Sequence, residues 1–259
     1  MENTVYTVAP LESHTFTIIL LHGRDSVASE FASEFFESQT SDDRTLTEIF
    51  PAAKWVFPTS KMRHSARFEQ EMSQWFDMWS VDSPSERENI QIEGPAESVT
   101  QILEVIQEEA KAVPLDRIIL GGLSQGCATA IFALMCAGVK LGGFMGLCSW
   151  LPLRKKISQI PSTTSYNDVS ELFRSILNIS MKAGFLPVSE GSAIKTPIFL
   201  SHSQDDNIVP IYNRRALKEG LEALDINVTW REYEEGGHWV NEPQGVDDMV
   251  TFLQRIIGT

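Results

Sequence analysis

Six short runs of apolar and β-branched residues punctuate the chain, at positions 15–21 (TFTIILL), 54–57, 117–120 (RIIL), 143–147, 197–201 (PIFLS) and 228–233 (VTWREY). Several are apolar throughout, without the alternation of a half-exposed strand, as expected where helices cover both faces of a sheet. Positions 4–8 form a weaker strand candidate. Between the runs the periodicity is helical. Pro95 suits the first turn of a helix reaching about Lys111, whose Ile102, Val105, Ile106 and Ala110 form one stripe. Positions 125–137 are apolar nearly all round, which predicts a buried central helix, and Val246, Met249, Val250, Leu253 and Ile257 give the last helix one apolar face. Strands alternating with helices predict an α/β fold with a mainly parallel, doubly wound sheet. The acid-rich positions 80–93 read as a surface loop. No stretch reads as a linker, so residues 1–259 are expected to form a single domain.

Positions 154–195 interrupt this alternation. They carry no strand pattern, yet Val169, Leu172, Phe173, Ile176 and Ile179 recur at helical spacing between loop-like flanks. Two readings stand side by side: a helical, lid-like insert over a binding site, or an ordinary connecting helix packed on the sheet.

Composition narrows the class. With 35 acidic against 21 basic side chains the net charge is −14, which opposes phosphate backbones and anionic membrane surfaces, so no nucleic-acid partner and no stable membrane insertion are expected. Cys127, Cys136 and Cys148 lack C-x-x-C spacing, which argues against a disulfide framework and a zinc site. The histidines show neither i, i+4 pairing nor H-E-x-x-H, and no dinucleotide fingerprint is present, so neither a metal nor a cofactor is expected. The N-terminal stretch has no signal-peptide pattern and no apolar run approaches membrane-spanning length, which predicts a soluble cytoplasmic protein.

The strongest chemical signal is Gly122-Leu123-Ser124-Gln125-Gly126, a G-x-S-x-G set directly after an apolar strand and directly before an apolar helix. That context suits a nucleophile elbow, in which a tight turn lifts the serine hydroxyl above the sheet edge beside a helix N-terminus. A serine hydroxyl needs a positioned base. Downstream of Ser124 only His202 and His238 are available. His238 lies in a Gly236-Gly237 turn after the last strand candidate, whereas His202 precedes the candidate acids and so falls in the wrong order for serine, acid and base. Asp205 and Asp206 follow the strand at 197–201, and spacing alone does not choose between them. Upstream, Leu20-Leu21-His22-Gly23-Arg24 ends an early strand, where a backbone N–H after His-Gly could join that of Gln125 in holding an oxyanion. His22 itself reads as structural.

Taken together, Leu20-Leu-His-Gly, Trp55-Val-Phe-Pro58, Ser73-Gln-Trp-Phe-Asp77, the elbow at 117–126, Cys148-Ser-Trp-Leu-Pro152, His202…Asp206-Asn-Ile-Val-Pro210 and Gly237-His238 resemble the acyl-protein thioesterase/phospholipase–carboxylesterase family of α/β hydrolases. The resemblance spans nearly the whole chain in the family's order. It implies the α/β-hydrolase fold, Asp206 as the acid beside Ser124 and His238, and an oxyanion hole from the backbone of Arg24 and Gln125. It also implies an enzyme, a serine carboxylesterase or acyl thioesterase acting through an acyl-enzyme on Ser124. The expected partner is a small-molecule or acylated ester or thioester. Trp79, Trp150 and Leu151 are expected to line the acyl side, joined by Leu172 and Phe173 if the insert is a lid.

Three departures mark this chain. The family usually has His-Gly-Leu-Gly-Asp where this sequence has His22-Gly-Arg-Asp-Ser, Cys127 replaces a second elbow glycine, and the segment at 154–195 is long. These variants look most similar to a branch of filamentous fungi with diverse substrates. They leave room for a dedicated biosynthetic hydrolase that releases a polyketide-type acyl chain, and, as a further alternative, for a non-catalytic binding module that kept the fold.

Overall fold

The computed structural model describes residues 5–91, 93–158, 166–182, 184–187 and 191–258, without the side chains of 93 and 166–168. In chain order the elements are β1 (Val5–Val8), β2 (Phe16–Leu21), α1 (Ala28–Glu37), α2 (Leu46–Ile49), β3 (Ala53–Pro58), β4 (Met62–Ser65), β5 (Gln70–Ser73), α3 (Glu93–Glu109), β6 (Ile118–Leu123) and α4 (Gln125–Ala137). They continue with β7 (Gly143–Leu147), α5 (Arg154–Ile157), α6 (Tyr166–Ile176), β8 (Ile198–Ser203), α7 (Ile211–Glu222), β9 (Val228–Tyr233) and α8 (Gln244–Ile257).

Seven strands form one sheet in the order β1-β3-β2-β6-β7-β8-β9. Only β1 runs antiparallel to its neighbour; the other pairs are parallel. This is the architecture of α/β hydrolases. Side chains alternate across it with period two. From β2 and β6, Ile19, Leu21, Ile118 and Leu120 enter the core under α3 and α4, whereas Ile18, Leu20, Ile119 and Leu123 enter the core under α1 and α8. Every residue of α4 is buried, which accounts for its unbroken apolar composition. A separate hairpin, β4–β5, had no signature in the hydrophobic pattern because only Ser65, Met72 and Ser73 of its strands are buried.

Within the segment at 154–195, the described helix α6 packs on the core. Phe173 of α6 is fully buried and meets the Phe132 ring edge-on at 5.8 Å. Arg174 donates through Nε to the Cys136 carbonyl at 2.7 Å and through Nη2 to Ala137 at 3.3 Å. These carbonyls belong to the last turn of α4, where a cation complements the helix dipole. Thirteen residues of α4 at 1.5 Å each, about 20 Å, separate that end from Ser124. The lid reading is therefore corrected: α6 closes the far end of the central helix. Replacement of Phe173 by Ala should cost about 3–5 kcal/mol in urea unfolding, and a variant as stable as wild type would contradict this packing.

Candidate active site

Ser124 stands between β6 and α4 with φ 55° and ψ −123°, a region that costs a non-glycine residue about 1–3 kcal/mol and persists only when its surroundings impose it. Here they do. The Ser124 N–H donates to Leu147 at 2.8 Å, and its carbonyl accepts from Ala128 N–H at 3.1 Å and from Ser149 Oγ at 2.8 Å. The flanking glycines let the chains approach. A Cβ on Gly122 would lie 2.6 Å from the Leu21 carbonyl oxygen, and one on Gly126 would collide with the carbonyls of both Leu21 and His22. The G-x-S-x-G spacing is thus the imprint of the end of β2 pressed against the first turn of α4.

His238 follows β9 through Gly236 and Gly237, both at positive φ, where glycine is free of the Cβ penalty. Its Nδ1 lies 2.7 Å from Asp206 Oδ2, an arrangement that leaves Nε2 for another partner. Asp206 Oδ1 accepts from the N–H groups of Ile208 and Val209 at 2.8 and 2.9 Å. Burial would raise the Asp206 pKa, but hydrogen bonds from His202 and His238 outweigh it and hold the carboxyl well below the usual range. Asp205 does something different. Its two oxygens accept from Gly237 N–H at 2.8 Å and Gly236 N–H at 3.3 Å, so it fastens the turn that carries His238. Geometry thus separates two carboxylates that spacing left equivalent.

His202 Nε2 lies 2.8 Å from the Val209 carbonyl and 3.1 Å from Asp206 Oδ2. The N–H at Nε2 serves both acceptors, which buttresses the acid loop, and burial pushes the His202 pKa down. Cys148, His202 and Asp206 bring their ligand atoms within 4.8 Å of one another. The thiol, however, donates to the Trp239 carbonyl at 3.2 Å and burial pushes its pKa up, whereas His202 and Asp206 are bonded to each other. Sequence reasoning missed this use of His202. It also missed Arg214, fully buried on α7, whose Nη2 donates to the Gly146 carbonyl; nothing in the α7 pattern distinguishes it from a surface arginine.

His22 is buried, and its pKa falls from 6.5 to about 4 through desolvation, partly offset by its bond to Gly23. Nδ1 lies 2.7 Å from the Gly23 carbonyl, and Nε2 accepts from Ser60 N–H at 3.1 Å, which places the ring proton on Nδ1. A peptide is planar and trans, so the Arg24 N–H points away from His22 on the opposite edge of the same unit. The Gln125 side chain accepts from Trp75 N–H at 2.9 Å and donates to the Phe76 carbonyl at 2.7 Å. Its backbone N–H is among the first of α4, which lack intrahelical acceptors.

These groups converge on a cavity of about 450 Å³ lined by Ser124, His238, Arg24, Gln125 and Trp150, among others. The other expected acyl-side residues are corrected. Trp79 carries the Arg87 guanidinium over its ring at 3.5 Å, Leu151 lines separate clefts beside α7, Phe173 is core, and half-buried Leu172 sits beside it on α6. Met72, Met78, Leu123, Ile208, Phe31 and Trp239 supply the apolar wall instead. Leu123 ends β6, and the others come from the hairpin, the loop after it, α1 and the loops after β8 and β9, elements whose approach no local pattern announces.

The phospholipase/carboxylesterase family model matches residues 2–174 and 176–257. Acyl-protein thioesterase 1 of Gibberella zeae is 28% identical over 258 residues, covering 96% of this chain and 95% of that protein. Its namesake in Cryptococcus neoformans is 32% identical over 157 residues, an alignment covering 60% of this chain and 63% of the relative, less than two thirds of its length. Crystal structures of Arabidopsis thaliana SOBER1 and Zea mays acyl-protein thioesterase 2 superpose with TM-scores of 0.68, each at 21% identity, covering 94% and 97% of this chain and 99% and 98% of theirs.

His22 contributes one part of the pH dependence of stability. The unfolded chain takes up a proton near 6.5, whereas the folded one resists until about 4. The His22 contribution is therefore fully present above pH 6.5 and is lost as pH drops toward 4, about 3 kcal/mol for such a shift. Chemical denaturation of His22→Gln across pH 4–7 should show a shallower decline than wild type; equal slopes would contradict the assignment.

Proposed function

The chain belongs to the phospholipase/carboxylesterase family of α/β hydrolases, and from that premise we propose that Ser124, His238 and Asp206 are the catalytic triad with which it cleaves carboxylic esters or thioesters of acyl groups. The observation that carries the reading is the 2.7 Å bond from His238 Nδ1 to Asp206, in one cavity with a serine on a strained turn. His238 Nε2 takes the proton of Ser124 Oγ as that oxygen attacks the acyl carbon. Asp206 keeps the imidazole in the required tautomer and stabilises the cation that forms, without itself accepting the proton. The backbone N–H groups of Arg24 and Gln125 receive the negative charge on the carbonyl oxygen. Such donors are each worth about 10²–10³ in turnover when already oriented. His238 then protonates the departing alcohol or thiol, and water attacks the acyl-enzyme by the same path reversed.

The apolar wall fits an acyl chain, borne by a small molecule or by a protein. Cys127, Cys136 and Cys148 are free and buried, which suits a reducing, cytoplasmic setting. No helix among the described residues is long and apolar enough to cross a membrane. The comparisons lend no support to a dedicated polyketide-releasing thioesterase.

Replacement of Ser124 by Ala should lower turnover of p-nitrophenyl esters by about 10⁶ and abolish fluorophosphonate labelling, with an unchanged circular dichroism spectrum. A variant that still labels and hydrolyses would overturn the assignment. Asp206→Asn should lose about 10⁴ in turnover, and Asp205→Asn much less, because it loosens a turn without removing the imidazole's partner. The reverse order would move the acid's role to Asp205.

A further inference from the structure

Arg24 brings a cation into a cavity whose wall combines apolar side chains with two carboxylates, Asp25 and Glu34. A guanidinium has five N–H donors, and this one makes a single long bond, from Nη1 to the Met78 carbonyl at 3.4 Å, while its carbon lies 5.1 Å from the Phe68 ring centre. Burial disfavours its charged form, as does nearby Arg67; Asp77 and Asp25 oppose that effect. Neither acid pairs with it. Asp77 spends Oδ2 on Ala66 N–H at 3.1 Å, and its Oδ1 is buried without a partner.

The neighbourhood repeats the pattern. The Arg67 guanidinium also lies over the Phe68 ring, 5.6 Å from its centre, and donates to the Trp79 carbonyl at 2.8 Å, while Arg87 lies over the Trp79 ring. Three guanidinium groups thus gather along Met78-Trp79, and among the described residues none is in an ion pair. Lys54, Arg63, Arg215 and Arg231 meet carboxylates, whereas Arg117, Arg174 and Arg214 donate to backbone carbonyls. On a protein of net charge −14, Arg24 is a cation outside any ion pair that lines the cavity of Ser124, with Arg67 and Arg87 exposed beside it.

The two sides of the cavity differ. Trp239 follows His238 and packs edge-on against Phe31 at 5.9 Å, with Glu34 on the same helix. The base must protonate the leaving group, so this is the leaving-group side, and Glu34 disfavours an anion there. The side formed by Arg24, Phe68, Met72 and Met78 then receives the acyl chain. We propose that Arg24 makes the enzyme selective for acyl groups bearing a second, free carboxylate, which its guanidinium receives at the end of a methylene chain lying on Met72 and Met78. The proposal rests on the hydrolase reading above. Carboxylate and guanidinium match as a two-pronged pair, a geometry that a lysine does not reproduce.

The test compares N-acetylcysteamine thioesters of adipic acid and of 6-methylheptanoic acid, in which an isopropyl group replaces the carboxylate. Wild type should favour the adipoyl thioester in kcat/KM by about 10- to 100-fold. Arg24→Leu, which keeps the backbone N–H, should reverse the preference, and Arg24→Lys should retain a reduced one. If wild type turns over the neutral thioester at least as well, and Arg24→Leu leaves the ratio unchanged, Arg24 is only packing and the inference fails while the hydrolase stands. If neither thioester is cleaved and Ser124 takes no fluorophosphonate, both fail together.

Discussion

The end of β2 is pressed so closely onto the first turn of α4 that only glycine fits at positions 122 and 126. That approach is what the remainder of the site depends on. It forces the chain to turn at Ser124 in a conformation other residues avoid, and two backbone hydrogen bonds with a third from the Ser149 hydroxyl fasten the turn. The same pressure brings Gly23 beside the serine, 3.6 Å from Ser124 Cβ to a Cβ built on the glycine. A single steric constraint therefore places both the hydroxyl and the peptide at its side. The buried α4 supplies the rigid base, and Arg174 of α6 secures its far end.

Around this point the polar groups are held neutral or charged by their surroundings. His22 is kept neutral by desolvation and fixed between Ser60 and Gly23, so it sets a peptide orientation without competing as a base. Asp206 is kept ionised by two histidines and two backbone N–H groups despite burial. The loops after β8 and β9 are then tied to each other twice, by Asp206 to His238 and by Asp205 to the glycine turn. Losing either tie frees a different thing: the imidazole's tautomer in one case, the loop's position in the other.

The sheet, its parallel sense and the central helix were legible because their side chains alternate or cluster with the periods that burial imposes. Ser124, Asp206 and His238 were legible through order and local context, though choosing Asp206 over Asp205 needed the family resemblance. The cavity wall was not legible. Met72, Met78, Phe31 and Ile208 meet only through tertiary approach of a hairpin, a helix and loops, and none sits in a pattern of its own. The apolar stripe of α6 was misread in part because a helix packed on another helix and a helix roofing a ligand present the same spacing; the Phe132–Phe173 contact and the Arg174 bonds to the end of α4 distinguish them.

The most direct test of the account is a crystal structure of the protein after reaction with a fluorophosphonate. Phosphorus should be bonded to Ser124 Oγ, with its unesterified oxygen about 2.7–3.1 Å from the backbone nitrogens of Arg24 and Gln125 and His238 Nε2 facing the serine oxygen. An adduct on another residue, or a phosphonyl oxygen directed to solvent with the Gly23–Arg24 peptide turned the other way, would contradict it.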